Sequence, residues 1–227
     1  MITREHFRLI PLMCLLFLGI VGCGMLLNQA TVAPVVGQDV LNLNESFFIT
    51  QSDAGEVNEA GDLFATALVA AGDLNVDGFE DVMVGAPGKG LGSGAVFGLF
   101  GSEAGATIGG SSITQADADE VNEAGDQFGA ALGSGKFNDD LVEDLVVGAP
   151  GKAPGGGSKS GAVFVFLGTE DGFETGFLLA QADAGEVGVA GDQFGAVVGS
   201  GDFDGDKIED LVVGAPGKAP GGGPKSG

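Results

Sequence analysis

One stretch, GDFDGDKIEDLVVGAPG at residues 201–217, sets a run of carboxylates directly against a run of apolar residues, and it is written three times. Near-copies stand at 72–88 (GDLNVDGFEDVMVGAPG) and 135–151 (GKFNDDLVEDLVVGAPG). A second segment keeps the same beat, as QSDAGEVNEAGDLF from residue 51, QADADEVNEAGDQF from 115 and QADAGEVGVAGDQF from 181, so its copies lie 64 and 66 residues apart. A period of this length is one supersecondary unit, which cannot bury its apolar face alone and must stack on its neighbours.

Within the second unit the apolar runs are short and bounded by glycine: FGAALGSG (128–135), EDLVVGA (143–149), GAVFVFLG (161–168) and GFLLAQ (176–181). These read as strands, and four with hairpin-length connections make one antiparallel sheet of the kind that forms a propeller blade. A solenoid usually has a shorter period, and a sandwich has no need to repeat its loop chemistry. The expected fold is therefore all-β: a partial β-propeller over 46–227, with blades at about 62–115, 126–181 and 192–227, the last incomplete. A separate strand is expected near SFFIT, 46–50. An open arc of blades would leave an unpaired edge beside DLVVGAP, so the chain reads as a fragment whose partners include further blades of its own.

Composition narrows the function. Asp and Glu number 32 against nine Lys and Arg, a net charge of −23, and a surface so acidic cannot release counterions from nucleic acid. Divalent cations or basic partners fit it better. The sole histidine is His6, so the commonest general base is missing from the repeats.

The N-terminus reads as an address. Arg4 and Arg8 precede an apolar run from Leu9 to Leu27, in the order of an export signal. LGIVGCG, ending around Cys23, resembles a bacterial lipobox, which implies cleavage before Cys23 and diacylglycerol on its sulfur. On this reading 1–22 is a lipoprotein-type signal peptide and 23–45 a linker. A cleaved signal ending near Ala30 and an uncleaved anchor remain open alternatives. All three place residues 31 onward outside the cytoplasm, in the outer membrane, periplasm or at the cell surface, with a membrane contact through the lipid. Cys14 and Cys23 are the only cysteines, so no disulfide is available to the exported part.

The acidic loops carry the chemistry. Asp202, Asp204, Asp206 and Asp210 alternate so that their oxygens can converge on one hard cation, and four carboxylates without one would repel each other. The first copy offers Asp73, Asn75, Asp77 and Asp81, with three formal charges; the third has four. The second copy has Asn138, Asp140 and Asp144, but Lys136 stands first, which makes its site weak or lost. Asx-turns without metal are the bland reading of the same residues.

An FG or F-small start, an acidic loop, DLxVGAP and then GxVxVF together resemble the FG-GAP repeats of integrin alpha-subunit propellers and of exported bacterial proteins. The resemblance covers about Phe47 to Gly227. It implies calcium in the hairpin between the first two strands of some blades, with the carbonyls of Phe79, Val142 and Ile208 completing the three ligand sets. It also implies ligand recognition on the face that gathers the Lys-bearing glycine loops and the acidic ADAGEV segments, for a protein or glycan ligand. GKGLGSG at 88 and GKAPGGGSKSG at 151 do not match a phosphate loop and lead into strands, so they read as inter-strand loops. A catalytic carboxylate pair would stand once, whereas these acids repeat with the architecture. The functional expectation is a non-enzymatic, calcium-binding propeller segment for surface adhesion or ligand binding. The alternative is the accessory scaffold of a larger secreted enzyme whose catalytic part lies beyond residue 227. Fatty-acid labelling in a bacterial host is expected to mark the wild-type chain and to be lost in Cys23→Ser; label retained in that variant would reject the lipobox reading.

Overall fold

The computed structural model describes residues 25–28, 46–103, 105–140, 142–170 and 172–219. The expected signal peptide, 1–22, and Cys23 lie outside the described residues. The strands in chain order are β1 (Met25–Asn28), β2 (Ser46–Ile49), β3 (Leu68–Ala70), β4 (Val82–Ala86), β5 (Ala95–Phe100), β6 (Thr107–Ile113) and β7 (Ala131–Gly135). They continue with β8 (Asp144–Ala149), β9 (Ala162–Phe166), β10 (Gly168–Thr169), β11 (Gly172–Phe173), β12 (Phe177–Leu179), β13 (Val197–Gly201) and β14 (Asp210–Gly214).

The chain is all-β, built of antiparallel blades. The first blade has the order β3-β4-β5-β6, the second β7-β8-β9-β12, and the third is described as the pair β13-β14. Register repeats with the sequence: Leu68 faces Val84 and Val84 faces Phe97 in the first blade, while Leu132 faces Val147 and Val147 faces Phe164 in the second. The third blade sets Val198 against Val213 in the same way.

Both faces of each central strand are covered, which is why these strands are written as continuous apolar runs rather than as alternation. In β8, Leu145 and Val147 pack toward the first blade with Met83 and Val96, whereas Val146 packs with Val163 and Val165 against Val198, Leu211 and Val213 of the third. Of the phenylalanines that open the repeats, Phe128 and Phe194 sit at these seams, while Phe64 packs with Ile49 of β2 in a cluster that no residue of the second blade joins. Phe128 is fully buried and meets Phe164 and Phe166 edge to face, with ring centroids 5.1 and 6.2 Å apart; Phe64 meets Phe97 at 5.6 Å. Burying one such ring is worth about 1.5–3 kcal/mol.

Backbone contacts between blades explain the glycines. A Cβ added to Gly85 would lie 2.1 Å from the carbonyl oxygen of Gly129 in the next blade, and one on Gly148 would lie 2.0 Å from that of Gly195. Thus the glycine of GAP in one blade rests on the glycine of FG in the next. Parallel bridges join Gly94 to Phe128 and Gly161 to Phe194 at the same seams. Serines add a hook: Ser134 Oγ donates to the Ala70 carbonyl at 2.7 Å and Ser200 Oγ to the Ser134 carbonyl at 2.6 Å, each from one blade's first strand to that of its predecessor.

Three segments differ from the sequence reading. The linker expected over 23–45 contains β1, which pairs antiparallel with β2, the strand expected near SFFIT. The loop expected over 168–176 carries its own small hairpin, β10–β11. The QxDA segments fold into 3-10 turns at Gln51–Ala54, Gln115–Ala118 and Gln181–Ala184, because the backbone N–H groups of Thr50, Thr114 and Ala180 donate to Asp53, Asp117 and Asp183 at 2.7–2.8 Å. Among the described residues no helix is long and apolar enough to cross a membrane.

If the glycine contact holds the blades in register, Gly148→Ala must force them apart and should lower stability in urea by about 1–3 kcal/mol. Gly199, where an added Cβ meets nothing within 4 Å, supplies the control. Gly199→Ala should be neutral or slightly stabilising.

Candidate metal loops and anchored segments

Each acidic loop joins the first two strands of its blade and is shaped by hydrogen bonds from its own backbone. The carboxylates of Asp77, Asp140 and Asp206 accept from the N–H groups of Phe79, Val142 and Ile208 at 2.8–2.9 Å, an Asx-type turn in all three copies. The last Asp of each loop clamps its start, since Asp81, Asp144 and Asp210 accept from the N–H groups of Leu74, Phe137 and Phe203. Asp81 and Asp144 also accept from Gly101 and Gly168 with their second oxygen, tying the first hairpin of the blade to the connection between its third and fourth strands.

The third loop comes nearest to a metal site. One carboxylate oxygen each of Asp202, Asp204 and Asp210 lies within 4.8 Å of the others, and no other carboxylate trio among the described residues is drawn together in this way. Asp206, expected as a fourth ligand, stands outside this trio, because its carboxylate is turned to the Ile208 N–H. In the first loop Asp73 accepts from the N–H groups of Asp77 and Gly78, as Asp202 does from those of Gly205 and Lys207, while Asn75 donates its amide to Asp77 at 3.0 Å; with Asn75 where the third loop has Asp204, the first loop has no third carboxylate at that position. In the second, Asn138 accepts from Asp140 N–H at 2.8 Å. The donor chemistry of the third loop, oxygen only and clustered, fits a hard divalent cation.

Burial is the largest influence on Asp81 and Asp144. It pushes the Asp81 carboxyl above its ordinary value, against the pull of the Gly101 and Leu74 N–H groups, and the charges of Asp77 and Asp73 push the same way. Asp144 is raised for the same reason, opposed by Gly168 and Phe137 and helped by Asp140. Burial also raises Glu143; Lys136 pulls it down, and Glu209, Asp144 and Glu80 push it up. The Lys136 charge is thus felt by Glu143, beside the loop.

The other Lys-bearing loops hold a feature that the sequence reading missed. The lysine that follows each GAPG reaches back to the acidic segment that leads into its own blade. Lys152, 3% exposed, lies 3.4 Å from both Glu120 and Asp126 and donates to the Val121 carbonyl at 2.7 Å. Lys218 lies 3.6 Å from Glu186 and Asp192 and donates to the Val187 carbonyl and to Gln181, and Lys89 pairs with Glu56 at 3.1 Å. Each GAPG glycine presses on the same segment, with Gly88, Gly151 and Gly217 donating N–H to the carbonyls of Asp62, Asp126 and Asp192 at 2.9–3.0 Å. These lysines and acids anchor one another rather than standing free for a ligand. Outward on these segments, Val57, Val121 and Val187, at one equivalent position of the three copies, are 70%, 68% and 76% exposed, beside the exposed Glu59, Glu123 and Glu186. The signal was present as the K of GAPGK and the E of GEV or DEV, repeating in step.

Comparison with known proteins agrees with this construction, since the FG-GAP repeat family matches residues 64–99 and 194–227. The chain is an FG-GAP repeat protein. Relatives outside the chain include two functional kinds. Phosphatidylinositol-glycan-specific phospholipase D of Dictyostelium discoideum is 30% identical over 167 residues, 66% of this chain and 18% of that protein. The Homo sapiens protein of the same name is 31% identical over 172 residues, 70% of this chain and 19% of its own. Integrin alpha-PS5 of Drosophila melanogaster is 36% identical over 172 residues, covering 70% of this chain and 15% of the integrin. The FG-GAP chain thus spans less than a fifth of the length of these relatives, and the aligned stretch is the repeat part.

The anchoring lysines have a pH signature. Asp192 is buried, which by itself would raise its carboxyl; the Val189 N–H, the Gln181 side chain and Lys218 together outweigh burial and hold it below its ordinary value of 3.8. A depressed folded-state value contributes stability that is complete above the unfolded value and is lost as pH falls through the folded one. Lys218→Met should therefore lower stability at neutral pH and flatten its fall on acidification. Urea midpoints for both chains between about pH 2 and 6 check this.

Proposed function

We propose that this FG-GAP segment is a calcium-stabilised, non-catalytic propeller module, exported and lipid-anchored through Cys23, that serves adhesion or ligand binding at a cell surface. The observation that carries the calcium reading is the convergence of Asp202, Asp204 and Asp210. Those three residues would hold the ion, and the Ile208 carbonyl and Asp206 would complete the set after its Asx-turn opens. Asp73, Asn75, Asp77, Phe79 and Asp81 would form the corresponding first site. A bound cation would neutralise carboxylates whose mutual repulsion otherwise opposes the tight turn.

The binding role is supported by the integrin alpha relative and by the surface the lysines build. Lys152 and Lys218 grip the Val121 and Val187 carbonyls, so the repeated valines are presented on restrained backbone. A surface already restrained loses less entropy on binding a protein or glycan. Beads coated with the exported chain should adhere to target cells in calcium, and a Val57/Val121/Val187→Ser variant with unchanged melting should adhere less; equal adhesion would reject this surface.

A second reading has its own support. Several relatives carry the name phosphatidylinositol-glycan-specific phospholipase D, so the repeats also suit an accessory scaffold of a larger exported enzyme.

Calorimetry on the exported chain should show about two calcium sites, filled at or below millimolar concentration. Asp206→Ala should remove one. Lys136→Asp, which takes the second loop from one net negative charge to three, should add one. A flat wild-type titration would overturn the calcium reading, and a folded Lys136→Asp chain with no added site would show that charge alone does not disable the second loop.

A further inference from the structure

A cleft of about 810 Å³ opens between the first and second blades, lined by both blades and by the connection that joins them. One wall of it is built on glycine. Register pairs Met83 with Gly98 in the first blade and Val146 with Val165 in the second, so Gly98 stands where the next blade has valine. Val165 is buried at the seam between the second and third blades. At the seam between the first and second, Gly98 contributes no side chain, and it faces another glycine, Gly109, across the β5–β6 pairing. The Phe100 ring lies over both glycines, 3.3 Å from where a Cβ on Gly98 would stand and 2.5 Å from one on Gly109, so this wall of the cleft is an aromatic ring laid on bare backbone.

The cleft has an apolar floor and an acidic rim. Met83, Phe100, Phe166 and Phe173 supply the floor, and Asp119, Glu170 and Glu174, all exposed, stand around it. Asp117 also lines the cleft, but its carboxylate is occupied by the Thr114 N–H at 2.7 Å. None of the described residues lining the cleft is basic. A volume of this size suits a small molecule, and carboxylates beside low-dielectric walls concentrate positive charge. Phenylalanine rings add attraction for a cation placed over them. We propose that the cleft is a binding site for organic cations that carry a positive charge on an aromatic or aliphatic body.

The test uses the exported chain in calcium buffer, with benzyltrimethylammonium as the probe and phenylacetate as its anionic counterpart. The ammonium should give saturable, one-site heat and the carboxylate none. Gly98→Val copies the residue of the next blade, and its Cβ would lie 3.3 Å from the Phe100 ring and 3.7 Å from the Gly109 carbonyl oxygen. It should weaken ammonium binding at least about tenfold at an unchanged melting temperature. Glu170→Gln with Glu174→Gln should weaken it several-fold and reduce its salt dependence. In case Gly98→Val proves unstable, amide shifts in the wild-type chain give an independent reading: Gly98, Gly109 and Gly172 should move with the probe. Absence of saturable binding, equal binding of phenylacetate, or shifts confined to the acidic loops would overturn the proposal.

Discussion

The structure depends on a contact between backbones. At each seam a GAP glycine of one blade lies against the FG glycine carbonyl of the next, at a separation no Cβ could enter. Everything larger follows from that approach. The blades come near enough for Ser134 and Ser200 to hook the preceding first strand, for Leu145 and Val147 to share a core with Met83 and Val96, and for the opening phenylalanines to be buried edge to face. A repeat that stacks only on its neighbours can hold one geometry along the chain when the same close approach recurs at every seam.

The chain manages its large negative charge in two different ways. In the acidic loops the carboxylates are held by backbone N–H groups, and the third loop gathers three of them. In the segments between blades, acids are matched one blade at a time by the lysine after GAPG, buried in the second blade and partly exposed in the first and third. A buried pair of this kind gives little net stability of its own, but losing one partner strands a charge, so it fixes where the segment lies. The lysines are therefore structural. The surface they create presents one exposed valine per blade, beside exposed acids.

Much of this was legible in residue order. The period and the strands of the second unit were readable because apolar runs bounded by glycine have few alternatives, and β7, β8, β9 and β12 lie within the runs expected for them. The acidic loops were recognisable from spacing. Their internal arrangement was not, because Asp206 and Asp77 can serve either a cation or the N–H two residues on, and sequence does not choose between equal acceptors. The β10–β11 hairpin is only two residues on each side, too short to leave a pattern.

The sequence by itself determined the antiparallel blade, its repetition and the charge of each loop, since all of these rest on local pattern and on residue type. The tertiary structure alone decided what meets across the seams. It brought Lys152 to Glu120 and Asp126, residues whose spacing repeats in the sequence but whose pairing the spacing does not state, and it selected Asp202, Asp204 and Asp210 as the convergent trio. It also set the Gly98–Gly109 pair on the wall of a cleft between the first two blades, whereas Val165, at the position of Gly98 in the next blade, is buried at the following seam. The physical reason is that a side chain's partners across a stack depend on the distance and register of the neighbouring blade, which no residue of one repeat specifies.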